Sequence, residues 1–333
     1  MKKTLSVILF IALLFAFAGC SKNAPQTTEK KDKEQVTIRI ASLKGPTGMG
    51  MVKLFDDDEA GETPKYDVSL CSTPEDVKAG ILNGSYDIAA IPTNLAAVLY
   101  SKAGADISVL AVNTLGVLYI LEDGDTIHSV KDLAGKKICA TGQASTPEYI
   151  LNYVLEKNEI TPDKDVDIEY LTEHSELAAQ MAAGAVKIGM LPEPNVTTTL
   201  ISSKSENMRV ALDLTEEWEK AADGTTIMQG CIVVNNSFLK AHPDEVKTFM
   251  ADYKESVDFV NSNIDEAAAL CEKTGIVPKA AVAKKAIPNC NITFITGEKL
   301  KTGLNAFFKV LFEADPASVG GALPDDAFYY IEL

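Results

Sequence analysis

The chain has 333 residues, with 47 acidic against 31 basic side chains and a formal charge of −16. That balance argues against nucleic acid or an anionic lipid surface as a partner. It leaves an anionic small ligand open, because a small site is governed by local dipoles. About 300 residues follow the N-terminal leader, more than one core usually organises, so two lobes are expected.

Residues 1–19 read as an export signal. Lys2 and Lys3 precede the apolar run Leu5 to Ala18, which is short of the ~20 residues a helix needs to cross a bilayer but suits a secretory leader. The run ends in Phe17-Ala18-Gly19-Cys20, which resembles the bacterial lipobox. The resemblance implies acylation of the Cys20 thiol by chains such as palmitate, holding an exported protein on the outer face of the cell membrane. Loss of Lys2 and Lys3 takes the charge to −18. Residues 20–35 are polar and lack an apolar period, so they read as a flexible tether.

Beyond Cys20 stand Cys71, Cys139, Cys231, Cys271 and Cys290, an odd number that cannot pair completely. The first three lie in or beside apolar strand-like runs and read as small buried hydrophobes. Cys271 with Cys290 is the one candidate bridge. CxxC spacing is absent, which gives no support to a zinc site.

The organising feature is a repeat. Gly84-Ser85-Tyr86-Asp87-Ile88-Ala89-Ala90-Ile91-Pro92 returns one hundred positions later as Gly184-Ala185-Val186-Lys187-Ile188-Gly189-Met190-Leu191-Pro192. Each copy reads as a helix end, a glycine stop, a buried strand and a proline where the strand leaves its sheet. The register holds further back, with Ile38 to Ser42 on Ile138 to Gly142 and Val68 to Leu70 on Ile168 to Tyr170. Two copies are too few for a solenoid, which needs at least ~3 units, so the repeat predicts two similar β-α-β-α-β lobes facing each other.

In chain order, Val36 to Ala41 is a strand, followed by the glycine-bearing turn Ser42 to Gly48 and a helix over Met49 to Phe55. Such a turn places backbone N–H groups and a positive helix end at the strand's carboxyl edge, where open α/β sheets bind ligands. Strand Tyr66 to Cys71 leads to a helix capped by Thr73 with Pro74 at its first position. After Pro92, Thr93 or Asn94 either caps the next helix or reaches a ligand. The runs Ile107 to Asn113 and Val117 to Leu121, parted by Thr114-Leu115-Gly116, mark the first crossing between lobes. The second lobe repeats the plan with helix starts at Ser145-Thr146-Pro147 and Thr172 to Ser175, and with the corner Pro192-Glu193-Pro194-Asn195. Gly230 to Asn235 is the strand returning across the hinge. From Phe238 the chain is mainly helical and is expected to pad the first lobe.

These pieces together resemble the substrate-binding lipoproteins of ABC importers. The resemblance is carried by the lipobox, the duplicated lobes, the DLAGKKICATG run from Asp132, the paired G-x-x-[DK]-I-x-x-[IL]-P corners, HPDEVKTFM from His242 and LPDDAFYY from Leu323. The nearest group is the binding proteins for nitrate, sulfonate, taurine and thiamine precursors. The resemblance implies an α/β, type II periplasmic-binding-protein fold. Lobe one would be residues 36–114 plus 236–333 and lobe two 115–235, with the ligand between them. It also implies a monomer without cofactor or metal that serves an ABC permease and its ATPase and captures a small organic nutrient, sulfonate- or taurine-like or pyrimidine-like.

The candidate ligand-binding residues lie on loops at the strands' carboxyl ends. They are Lys44, Thr47, Gly48, Thr93 and Asn94 in lobe one, Gln143, Ser145, Thr146, His174, Glu193 and Asn195 in lobe two, and Asn113 with Thr114 at the hinge. A carboxylate at Glu193 would oppose a bare oxyanion and suit a ligand with a donor group, while Lys44 pulls the other way. Two alternatives remain: a tethered sensor for a membrane receptor, and an enzyme like the thiamine-pyrimidine synthases. The latter resemblance requires a cysteine cluster with histidine that is missing here, and His128, His174 and His242 form no H-E-x-x-H pattern.

Overall fold

The structure, a computed structural model, describes residues 36–61 and 65–331. The leader, Cys20 and the tether lie outside the described residues. Two mixed sheets carry the fold. The first contains β1 (Ile38–Leu43), β2 (Tyr66–Cys71), β3 (Ile88–Pro92) and β4 (Ile107–Thr114). The second contains β5 (Leu118–Asp123), β6 (Lys137–Thr141), β7 (Asp167–Leu171), β8 (Ile188–Pro192) and β9 (Met208–Asp213). The chain then returns to the first sheet with β10 (Gly230–Asn235) and β11 (Ile292–Ile295). The strand orders are β11-β4-β10-β3-β1-β2 and β7-β6-β8-β5-β9.

The repeat in the sequence is a repeat in space. β3 and β8 are offset by one hundred residues, as are the helices Pro74–Leu82 and His174–Ala182 that precede them. In each lobe a parallel pair flanks the repeated strand on one side. An antiparallel strand delivered by an interlobe crossing flanks it on the other: β10 beside β3 and β5 beside β8. The helix Pro74–Leu82 forms as its sequence predicts. The Thr73 hydroxyl accepts from the Asp76 N–H, Pro74 opens the first turn and acidic residues face the positive end. Asn83 closes it, and Gly84 follows at φ +74°, a backbone conformation that glycine adopts without steric cost.

The repeated corners are tied down differently. Asp87 is 6% exposed and takes both the Nε and an NH2 donor of Arg39 on β1, a fork geometry that fixes orientation as well as charge. Its counterpart Lys187 instead reaches Asp123 at the end of β5.

Helices Pro243–Ser262, Ile264–Thr274 and Ala280–Ala286 pack on one face of the first sheet through Phe249, Tyr253, Cys271 and Ala283. The last helix, Gly297–Ala314, departs from the expectation that the C-terminal helices pad lobe one alone. Its Phe307 ring lies 5.4 Å from Trp218 of helix Leu214–Ala221, and Trp218 in turn lies 4.7 Å from Tyr153. One apolar cluster therefore runs from Leu99 and Phe307 through to Leu151 and Ile138 of the second lobe.

Other expectations need correcting too. β10 pairs with β3 and β4, so the return crossing lies before residue 230 rather than at 235. The helix expected over Met49 to Phe55 is two, Pro46–Met49 and Val52–Glu59, parted at Gly50-Met51. Strand β11 has too few residues for its alternation to stand out. All five described cysteines are buried and free, Cys271 and Cys290 included.

Trp218 is 0% exposed and touches aromatic rings from both lobes. Trp218→Ala should cost about 3–5 kcal/mol of unfolding free energy, measured by denaturant titration. A loss below about 1 kcal/mol would show that the shared core does not depend on it.

Candidate ligand-binding cleft

In both lobes the parallel strands end at the same edge, and the loops at those ends face one another. Two contacts close the seam. The Thr146 hydroxyl, at the start of helix Thr146–Lys157, donates to Asn94 Oδ1 at the start of helix Thr93–Ser101, 2.7 Å away. On the other side, Gly45 backs onto Pro194 so closely that a Cβ there would stand 3.9 Å from its Cδ. Residues 94 and 194 are equivalent in the repeat, and 45 corresponds to 145, next to Thr146. The two contacts are thus related by the pseudo-two-fold axis that relates the lobes.

The residues named from sequence divide into three sets. The first set forms the seam and its floor. Asn94 and Thr146 are 4% and 1% exposed. Thr93 is buried, its hydroxyl donating to Met228 O and its N–H to Gln229 O of the return crossing. Asn113 is buried and donates from Nδ2 to Thr47 O at 3.3 Å, while its Oδ1 accepts from the Thr114 hydroxyl. Gly48 lies in the first turn after β1, where a Cβ would stand 2.5 Å from Leu43 O; only glycine fits. Neither Thr93 nor Asn94 caps its own helix, because both polar groups are committed across chain crossings.

The second set lines the mouth. His174 follows β7 and its Nδ1 pairs with Thr141 Oγ1 at 2.6 Å, at the end of β6. Burial pulls its pKa down to about 4, so the ring is neutral at pH 7. Ser145 donates to Gly142 O rather than capping its helix. Lys44 and Gln143 are exposed and make no contact across the seam.

The third set is structural, with Glu193 at its centre. Glu193 is 2% exposed, and its two oxygens accept from the Thr197 N–H at 3.1 Å and the Thr197 hydroxyl at 2.8 Å. It thereby takes up one N–H in the first turn of the helix Asn195–Ser202. The Asn289 side chain, from the first lobe, is a further donor, and burial nonetheless raises the Glu193 pKa. With these partners its carboxylate needs no donor from a ligand, so the argument against an oxyanion loses its basis. Asn195 opens that helix, and its carbonyl accepts from Thr199.

Several residues of the seam had no signal in the sequence. Asn289 reaches Glu193, and Asn291 donates from Nδ2 to Gly116 O while accepting from the Leu115 N–H. Asn289 ends the short Ile287–Asn289 turn and Asn291 follows it, far along the chain from the hinge they brace. Among the described residues no group of acidic, histidine and cysteine side chains could hold a metal ion, and no helix is long and apolar enough to cross a membrane.

Two lobes joined by two crossings, with strand ends facing one another, are the architecture of the periplasmic binding proteins. The family model described as ABC transporter, phosphonate, periplasmic substrate-binding protein matches residues 64–283, well over half the chain. The chain belongs to this family, whose members are extracytoplasmic binding proteins rather than enzymes. A Bacillus subtilis (strain 168) protein named for binding aliphatic sulfonates is 26% identical over 276 residues, covering 81% of this chain and 77% of its own. An ABC transporter structure from Parabacteroides distasonis superposes with a TM-score of 0.74 at 22% identity, covering 89% of this chain and 99% of that one. The periplasmic aliphatic sulphonate binding protein of Escherichia coli gives 0.68 at 18%, covering 87% and 91%. At these identities the two structures speak for the fold.

The depressed His174 pKa fixes a pH dependence. Between about pH 6.5 and pH 4 the unfolded chain binds a proton at this ring that the folded chain does not. The stability contributed is complete above pH 6.5 and is lost as pH falls towards 4. NMR titration should place the His174 midpoint near 4, and His174→Asn should flatten the fall in unfolding temperature across that window. A midpoint near 6.5 would contradict the buried geometry.

Proposed function

We propose that the cleft captures a small organic acid, sulfonate-like in its charged group, by closure of the two lobes, and that the loaded protein delivers it to an ABC permease and its ATPase. The observation carrying this is the convergence of helix starts that lack side-chain caps. Helices Thr93–Ser101 and Thr146–Lys157 begin without one and meet at Asn94 and Thr146, and helix His174–Ala182 also begins without one. Their positive dipole ends favour an anion there. The name of the Bacillus subtilis relative points to the same chemistry. A neutral His174 at the mouth adds a hydrogen-bonding group without adding charge. Thr47, Gly48, Asn113 and Thr114 form the floor in this reading, and Ser145 and His174 the wall.

Closure is the mechanism this site suggests. A ligand that touches both lobes stabilises the arrangement in which both reach it. Micromolar capture needs ~8 kcal/mol, within reach of a few hydrogen bonds to a charged group. The mature protein acts as a monomer held to the membrane by acyl chains on Cys20.

Calorimetry with alkanesulfonates, nitrate, sulfate and an aminopyrimidine tests the ligand class. An organic sulfonate should bind at micromolar concentration, with X-ray scattering showing a smaller radius of gyration on loading. Thr146→Val should weaken it about tenfold. Tight binding of nitrate or sulfate with no organic ligand bound would refute the reading. Separately, Cys20→Ala should move the protein from the membrane fraction to the soluble exported fraction; retention at the membrane would rule out the anchor.

A further inference from the structure

The return crossing holds a polar group that the fold leaves without a partner. Gln229 stands one residue before β10, where β3 and β4 open onto the cleft. Its backbone is fixed on both sides, the N–H donating to Thr114 O at 2.9 Å and the carbonyl accepting from the Thr93 N–H at 3.0 Å. The next residue, Gly230, is pressed so tightly that a Cβ would lie 2.6 Å from Asn113 Oδ1 and 2.8 Å from Thr47 Cγ2. The Gln229 backbone is therefore held by Thr93 and Thr114, and its neighbour Gly230 packs against Thr47 and Asn113.

Within this rigid frame the Gln229 amide oxygen is enclosed and has no hydrogen-bond partner. Buried acceptors are ordinarily paired, and one left unpaired is costly unless something else supplies the donor. Of the other enclosed atoms without a partner, Trp218 Nε1 lies in a fully buried residue, while Asn152 Oδ1, the Tyr170 hydroxyl and Thr215 Oγ1 lie in partly buried ones. Gln229 differs in that its own backbone is bonded to Thr93 and Thr114, at the ends of the strands that face the seam. Glu193, the acceptor that sequence pointed to, already has its donors in Thr197 and Asn289.

We propose that Gln229 is a specificity-determining residue whose enclosed amide oxygen accepts a hydrogen bond from an N–H or O–H donor on the bound solute. The proposal rests on the reading of the cleft as an organic-acid site and sharpens it. The solute carries a donor group close to its acidic group, and the helix starts take the acid while Gln229 takes the donor. An acceptor held by its own backbone hydrogen bonds is pre-oriented, and a site built around such an acceptor rejects analogues that lack the donor.

Three probes of matched size test this by calorimetry: 2-aminoethanesulfonate, 2-hydroxyethanesulfonate and ethanesulfonate. The wild-type protein should bind at least one donor-bearing probe about tenfold or more tighter than ethanesulfonate. Gln229→Leu should abolish that preference, moving ethanesulfonate by less than about threefold. It should leave the unfolding temperature of the unliganded protein equal or higher, since it removes an unsatisfied group. Gln229→Glu keeps an acceptor and should retain 2-aminoethanesulfonate while weakening ethanesulfonate, which guards against a misfolded leucine variant.

Equal wild-type affinity for all three probes would overturn the role of Gln229 and leave the sulfonate reading standing. So would a Gln229→Leu protein that keeps its preference, or one that loses all three probes together with its stability. Binding of none of the three by the wild type would overturn both.

Discussion

The rest of the molecule depends on a constraint of connectivity: the chain passes between its sheets only through residues 115–117 and 222–229. Everything that faces the cleft is placed relative to those crossings. Thr93 is held by the second one, through Met228 O and Gln229 O, and Asn291 braces the first at Gly116 and Leu115. Because β10 and β5 run antiparallel beside the repeated strands β3 and β8, each lobe is stitched into its sheet by a strand arriving from the other. The lobes share no sheet hydrogen bonds. Their relation is set by side chains, glycine contacts and the crossings.

That arrangement explains an unusual use of polar residues. Helix starts on the surface normally close themselves with a side-chain cap, as Thr73 does for Pro74–Leu82. At the seam the equivalent residues are drawn away: Thr93 to the crossing, Asn94 and Thr146 to each other, Ser145 to Gly142. The starts of these helices are thereby left without a side-chain cap. Glu193 instead accepts from the Thr197 N–H and hydroxyl in the first turn of Asn195–Ser202.

The duplicated corner made most of the fold legible beforehand. An apolar strand bounded by glycine and proline, repeated at constant spacing, is a local pattern, and it located β3, β8 and the helices before them. The crossing after Asn113 was legible for the same reason. What the pattern could not reveal was anything decided by distant packing. The return strand looked like the end of lobe two because its partners, β3 and β4, lie more than one hundred residues earlier. β11 is short and at a sheet edge. In the cleft, Thr93, Asn94, Asn113 and Thr146 are marked in the sequence only by their shared place at the strands' carboxyl ends, where capping accounts for a small polar residue equally well. Glu193 misled because its capping partner is four residues on, a role that any surface carboxylate could fill. Asn289, Asn291 and Gln229 left no mark, since amides in loops are ordinary until the structure shows what surrounds them.

The shared packing of Trp218 on Phe307 has a bearing on how the jaws part. A pair of lobes linked by two strands alone could swing in many directions, whereas a third, apolar contact at the back turns the joint into a bearing with a preferred axis. Pulling that bearing apart would expose rings whose burial contributes about 1.5–3 kcal/mol per side chain, so wide gaping is opposed while a small rolling motion about the rings is not. Under the proposed closure, the solute would have only a shallow angular difference to settle, and a few hydrogen bonds at the rim would settle it.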